Sequence, residues 1–303
     1  MEIRIADWNT VRDTARKIRS EVFIREQGVP EELEWDDADA TATHIIAYEG
    51  RSPVGCARLL PDGHFGRMAV LPTWRNEHWG SRILHALENY ARTEMKLREI
   101  KASAQTRALP FYQKNGFSTE AGFFDDAGMP HVHIYKAPGG ENGNHVLRAG
   151  EDDTLYRLES LTAMSGWCEA ALAQRPRRVI LMCDNLRHPL WSRSEFVDAI
   201  SRYARSAHQR HVDIYLPSEN GSVLRHPLMR LQSRMNSRIS LHVHPGVSTS
   251  LLLMPEWGYL RLAEQDLALA NMGDRPGVVR LQAEYSEILN YARPSREGRR
   301  LAI

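Results

Sequence analysis

The stretch "MAVLPTWRNEHWGSRILHALENYA", residues 68–91, decides how the chain is read. It opens as a strand, turns tightly, and continues as a helix with Ile83, Leu84, Leu87 and Ala91 on one face. A helix that leaves a turn at Gly80–Ser81 has its first N–H groups without intrahelical acceptors, and its dipole adds partial positive charge at the same end. Together these attract an anion, and Arg75 adds a fixed charge at the mouth. The turn is poor in glycine, because Asn76, Glu77, His78 and Trp79 stand between Arg75 and Gly80. A purely structural turn accounts for the same pattern.

Working outward, "EIRIAD" alternates as a strand, and a helix follows with Ala15, Ile18, Val22 and Phe23 on one face. "REQGVPEELEWDDADAT" is polar, acidic and turn-rich, and reads as a long loop. "THIIAYEG", "PVGCARLLPDG" and "FGRMAVLP" are three strands joined by hairpin turns. Beyond the helix of the opening stretch, "REIKASAQ" is a strand and "TRALPFYQKNG" a short helix capped by Gly116. "FSTEAGFFDDAG" and "HVHIYKAP" are the closing strands. The order is β-α-βββ-α-β-α-ββ, an α/β (α+β) pattern with a mixed, mostly antiparallel sheet.

The chain changes character at "APGGENGNH", where Gly, Asn and Pro crowd without apolar periodicity. This predicts a first domain over 1–138, a linker over 139–146 and a second domain over 147–303. In the second half, a helix is expected to carry Leu155, Leu158, Leu161 and Cys168, and another Phe196, Val197, Ile200 and Ala204. A third lies around Leu228 and Leu231, and a last one carries Val278, Leu281, Tyr285, Ile288 and Leu289. "RVILMCD", "HVDIYLP", "ISLHVHP" and "SLLLMPEWGYLRL" are strands, the last one a candidate hairpin. The pattern predicts an α/β domain with a mixed sheet.

With 39 basic and 38 acidic residues the chain has a net charge of +1, so no bulk attraction to nucleic acid or anionic membrane is expected. The start lacks the apolar core of a signal peptide, and "SLLLMP" and "VILMC" are too short to span a bilayer. Cys56, Cys168 and Cys183 lie in apolar surroundings and read as reduced, buried thiols of a cytoplasmic protein. His131 with His133, and His242 with His244, alternate along strands but lack an obvious third ligand, so no metal is expected.

Four stretches resemble the GNAT superfamily of acyl-CoA-dependent N-acetyltransferases: "VFIREQGVPEELEWDDADATATHIIAY", "PVGCARLLPDGHFGRMAVLPTWRNEHWGSRIL", "IKASAQTRALPFYQKNGF" and "AGMPH". The resemblance covers roughly residues 1–137 and includes the element order. It implies that acetyl-CoA is a co-substrate, its pantetheine arm lying where the fourth strand splays from the fifth. Backbone groups of Met68, Ala69 and Val70 would pair with that arm. The pyrophosphate would sit against residues 75–81, which include Arg75, Asn76, His78, Trp79, Gly80 and Ser81. Tyr112 falls where the family often places the acid that protonates the departing thiolate, although a core aromatic fits the position too. Gln105 would bond the cofactor or cap its strand. Glu26, Asp36, Asp37 and Asp39 lie on a segment that borders the acceptor cleft in this family. Glu26 is the favoured general base, against the plainer reading of all four as a solvated acidic loop.

The sequence departs from the family at Asn76 and His78, where glycine is usual. Glycine adopts φ > 0 freely and lets a phosphate approach the backbone. One strained residue costs about 1–3 kcal/mol, which weakens binding about tenfold to a hundredfold without abolishing it. Two hypotheses follow. One is an enzyme that moves an acetyl group to a primary amine of a small molecule or peptide by direct attack in a ternary complex. The other is a degenerate, non-catalytic domain that serves as a ligand-binding or regulatory module.

The second half faintly resembles half of a phospholipase-D-like fold, without the H-x-K-x4-D motif that catalysis in that family needs. That implies a non-catalytic domain for a phosphate-containing ligand, nucleic acid, a protein partner or self-association. Arg225, His226, Arg230, Arg234 and Arg238 gather on or beside one helix there, as a phosphate site or a solvated basic face.

Overall fold

The computed structural model describes residues 2–140, 143–184, 186–219, 223–264 and 266–295. By its internal contacts the chain forms two compact units. The first comprises residues 1–104, 112–119 and 133–144, and the second 105–111, 120–132 and 145–303. The segments 105–111 and 120–132 thus group with the C-terminal unit, although they precede the Gly/Asn-rich seam.

In the first unit β1 (Glu2–Ala6), β2 (Thr43–Glu49), β3 (Ser52–Leu59) and β4 (Phe65–Val70) form an antiparallel sheet in that order. Helix α1 (Trp8–Arg19) is capped by the Asp7 side chain and runs on as a π-helical stretch, Ser20–Glu26. Its apolar face, Val11, Ala15, Ile18 and Val22, packs on Ile46, Cys56 and Ala69. Short helix α2 (Glu31–Glu34) and a 3-10 turn, Asp37–Ala40, follow, so the acidic segment is folded where a plain loop was expected. Helix α3 (Trp79–Thr93) covers the other face of the sheet, with Ile83, Leu84, Leu87 and Ala91 fully buried. Gly55 permits that approach, since a Cβ there would lie 2.7 Å from the Ala69 carbonyl oxygen and 2.8 Å from Ile83 Cδ1. Burying each large aliphatic of this face contributes about 1.5–3 kcal/mol, which seats the start of α3 at the end of β4.

Strand β5 (Ile100–Gln105) leads into short helix α4 (Leu109–Lys114), which ends at Gly116 with φ +84°. Strands β6 (Ser118–Asp126) and β7 (Met129–Lys136) complete a separate three-stranded sheet in the order β5-β7-β6.

The second unit holds an eight-stranded mixed sheet. Its elements in chain order are β8 (Tyr156–Leu158), α5 (Leu161–Ala173), β9 (Arg178–Met182), α6 (Pro189–Ser192), α7 (Ser194–Arg205), β10 (His211–Leu216), α8 (Pro227–Arg234), β11 (Ile239–Val243), β12 (Leu251–Met254), β13 (Gly258–Glu264), β14 (Leu267–Asn271), α9 (Arg275–Glu284), α10 (Ser286–Tyr291) and β15 (Arg293–Pro294). The spatial order is β15-β11-β10-β9-β12-β13-β14-β8, with β9, β10 and β11 parallel. The candidate hairpin at "SLLLMPEWGYLRL" is present as β12–β13.

Two helical expectations fail here. Residues 156–158 are a strand on β14, and Ser160 caps a helix that starts only at Leu161. Three residues contain no full helical turn, and backbone pairing with β14 decides their conformation. The last helix is two, because Tyr285 breaks the periodicity with φ −102° and ψ 16°.

Candidate functional site

Strand β4 pairs with β3 on one side only. On its other side the link to the next strand is the bridge His64–Lys101, backed by the Lys101 N–H donating to the Gly63 carbonyl at 3.0 Å. Beyond that bridge β4 and β5 belong to different sheets, so an open edge runs along residues 65–70. The edge is also kinked. The register with β3 slips by one residue between Cys56 and Arg58, and Arg67 takes φ +48° at the slip. Such a bulge twists a strand and re-aims its peptide groups.

The edge runs into the turn of the opening stretch. Pro72–Trp74 is a 3-10 turn, and Asn76 and His78 both sit in the left-handed region, with φ +67° and +63°. The glycine-poor loop therefore keeps the backbone shape that glycine favours. Asn enters this region with least strain, whereas His bears about 1–2 kcal/mol for it. His78 is the N-cap of α3 and makes no side-chain cap. Among the described residues, no side chain or loop carbonyl accepts from the N–H groups of residues 76–81. Trp79 is buried, edge-on to Trp74 and beneath the Arg82 guanidinium, so its bulk points away from solvent. Glu77 is exposed and accepts a long 3.4 Å hydrogen bond from the Trp79 indole N–H.

Two of the expected site residues meet directly. Arg75 donates through both terminal nitrogens to the two Glu26 oxygens, at 2.7 and 2.6 Å. Its Nε donates to the Val70 carbonyl at 3.0 Å. Arg75 is thus pinned to the end of the β4 edge, and Glu26 is drawn there from the end of the π-helical stretch.

Tyr112 comes to the same strand. Its hydroxyl lies 3.9 Å from Met68 Sδ, and its ring packs against Phe65 and Phe117. Burial pushes its phenol up to about 12. Gln105 falls in the other compact unit, where its amide oxygen accepts from Arg107 Nε at 2.7 Å and its nitrogen faces Met129 Sδ at 3.5 Å.

The acidic segment is held by three arginines that periodicity did not single out. Arg19 Nε donates to Glu34 at 2.5 Å, and its Nη1 reaches both oxygens of Asp39, at 2.8 and 2.9 Å. Arg58 bridges Asp36 and Asp39 at 2.5 and 3.0 Å. Arg67, from the bulge, reaches Asp36 at 3.2 Å and the Glu34 carbonyl at 3.2 Å. Asp36 and Asp39 are therefore structural ions, a correction to the solvated loop. Burial works to raise the pKa of Asp36, but the Arg58 bond and charge outweigh it and hold it low. For Glu34 burial outweighs Arg19, and its pKa is raised. The readable signal was Arg19, on the helical face of Ala15 and Ile18 where a cation needs a buried partner.

In the second unit, His226 Nδ1 accepts from the N–H of Leu228 at the start of α8, and Arg238 donates to the Ala207 carbonyl and to His208. Arg230 and Arg234 are exposed. His242 meets Asp213 at 3.0 Å, and His211 meets Ser240 and Asp213 through the same ring nitrogen. That geometry rules out a Ser-His-Asp relay, which needs the two ring nitrogens on different partners. Among the described residues no three His, Cys, Asp or Glu gather as a metal site, and no helix is long and apolar enough to cross a membrane.

The open β4 edge thus runs into the N-terminus of α3, with the half-buried Tyr112 phenol beside it. The family described as acetyltransferase (GNAT) domain matches residues 11–137. YjcF of Bacillus subtilis, an uncharacterized N-acetyltransferase, is 39% identical over 124 residues, covering 39% of this chain and 87% of that protein. YyaT of the same organism is 37% identical over 128 residues, 40% of this chain and 86% of that protein. The crystal structure of Escherichia coli ElaA aligns with 23% identity and a TM-score of 0.41, over 45% of this chain and 99% of that one. The chain belongs to the GNAT acetyltransferase family and is an acyltransferase. The family match ends at residue 137, and the likeness of the second half to a phospholipase-D-like domain finds no support.

Proposed function

We propose that the protein transfers an acetyl group from acetyl-CoA to a primary amine of a small molecule or peptide, by direct attack in a ternary complex. The observation that carries this reading is the open β4 edge ending at a turn with Asn76 and His78 at positive φ. Backbone groups of Met68, Ala69 and Val70 hold the pantetheine arm. The N–H groups of residues 76–81, among them those of Trp79, Gly80 and Ser81, face the pyrophosphate, with Arg75 beside them. Only the backbone of Trp79 takes part, since its ring is buried.

The amine nitrogen attacks the thioester carbonyl carbon. Collapse of the tetrahedral intermediate breaks the C–S bond, the amide forms, and the nitrogen releases its proton to water. Tyr112 donates its hydroxyl proton to the departing sulfur. A phenol at about 12 would be too weak an acid for a solvated thiolate near 8.5. Desolvation in the closed complex raises the basicity of the departing sulfur and brings it toward that of the phenol. Glu26 pairs with Arg75 and shares its guanidinium with the pyrophosphate. Gln105 bonds its own neighbours, with no direct part in holding the cofactor. Three free, buried cysteines support a reducing cytoplasmic setting.

Titration calorimetry with acetyl-CoA and with CoA tests the reading. Micromolar binding that Met68→Pro weakens is expected, because proline deletes an edge N–H. No heat and no thermal protection at millimolar ligand would overturn it.

A further inference from the structure

The second unit contains a cavity of about 850 Å³ at the carboxyl end of β9, well within the range of small-molecule sites. Topology favours a ligand there. The chain reaches β9 from β8 at the far edge of the sheet, leaves it toward β10, and returns as β12 on the opposite side of β9. The connections therefore part at this strand end, which opens a crevice.

Backbone hydrogen bonds tie the walls together. The Asp184 N–H donates to the Thr249 carbonyl at 2.9 Å, and the Leu262 N–H to the Ser250 carbonyl at 3.0 Å. Arg261 is held in register between Leu251 and Leu269. The chemistry is mostly that of donors. Arg187 and Arg261 bring two guanidiniums, the latter 3.8 Å from Glu284, and Ser248 brings a hydroxyl beside that of Thr249, which bonds Tyr285. His188 Nδ1 accepts from the Leu190 N–H, which places the ring's N–H at Nε2. One carboxylate, Asp184, faces the same space and accepts the Ser250 hydroxyl at 2.7 Å. Leu262, Leu269 and Pro189 supply apolar wall.

We infer that this cavity binds a phosphate monoester of a small hydroxylated molecule. Two arginines with hydroxyl donors suit a dianionic phosphate, since guanidinium pairs bind phosphate oxygens in a fork. The volume far exceeds a bare phosphate, and Asp184 is placed to accept from a hydroxyl of the ester's body. The site is separate from the acyl-transfer site, and its test does not depend on acetyl-CoA.

The full chain is titrated with ribose 5-phosphate, glucose 6-phosphate and inorganic phosphate, with glucose and potassium sulfate as controls, by calorimetry and thermal shift. Saturable protection by a sugar phosphate is expected, with inorganic phosphate about tenfold weaker or more. R187A combined with R261Q should weaken the sugar phosphate at least about tenfold while the unliganded melting temperature holds. R187A alone, at an exposed loop position, gives the same direction if the double variant misfolds. No sugar-phosphate binding up to about 10 mM, equal affinity for inorganic phosphate or sulfate, or unchanged affinity in both variants would overturn the assignment.

Discussion

Glu26→Gln separates the two roles open to that residue. Glu26 and Arg75 are each more than a third exposed, with side-chain exposures of 39% and 38%. An ion pair in that setting contributes at most about 1 kcal/mol once solvent screening is counted. Removing its charge should therefore lower the melting temperature by no more than about 4 °C. The effect on cofactor affinity has the opposite sign. An arriving pyrophosphate must share Arg75 with Glu26, and about 1 kcal/mol of lost competition is about a fivefold gain in affinity. Arg75 stays aimed in the variant, because its Nε still donates to the Val70 carbonyl. Calorimetry with CoA at low and moderate salt reads the affinity, and the gain should shrink as salt rises. Steady-state kinetics reads the alternative. A fall in kcat of about a hundredfold with unchanged acetyl-CoA affinity would make Glu26 the general base and refute its role as a competitor for Arg75.

Tyr112→Phe keeps the ring between Phe65 and Phe117, so stability and acetyl-CoA KM should hold while kcat falls by about a hundredfold; unchanged kcat would remove Tyr112 from the mechanism. His78→Gly relieves about 1–2 kcal/mol of left-handed strain and adds about 0.4–1 kcal/mol of unfolded-state freedom, so a small net stabilisation is expected in a urea melt. A loss of more than about 1 kcal/mol would show that the His78 side chain holds the loop. Arg19→Met leaves Glu34 buried without its main counter-ion, and a urea melt should show a loss of about 3–5 kcal/mol. A loss below about 1 kcal/mol would mean that Arg58 and Arg67 suffice. Burial lowers the pKa of both His44 and His226 from 6.5, so the unfolded chain binds protons more readily than the fold. Their stabilisation is complete above 6.5 and is lost as pH falls through the lowered values. His44→Gln with His226→Gln should flatten thermal stability as pH falls below about 6.5, and an unchanged slope would assign it elsewhere.

The element order of the first half was legible because each element carries its own period. Ile83, Leu84, Leu87 and Ala91 mark a helix face whatever lies under it, and hairpin turns separate β2, β3 and β4. The second half was less legible where period and pairing disagree. Leu155, Leu158 and Leu161 are spaced as on a helix, yet 156–158 joins β14, whose own short strand alternates too weakly to announce itself.

The sequence by itself determined the family and the strand–turn–helix unit, since these depend on local pattern and residue type. Tertiary structure alone decided which charges meet. Arg75 and Glu26 are 49 positions apart, and nothing local couples them. The same holds for Arg19, Arg58 and Arg67, which convert an acidic segment into a buried ion network. It holds too for the left-handed turn, where the packing of α3 on Gly55 and β4 fixes the backbone that Asn76 and His78 must follow. Local sequence sets what each segment prefers; long-range burial and charge pairing decide which of those preferences the fold overrides.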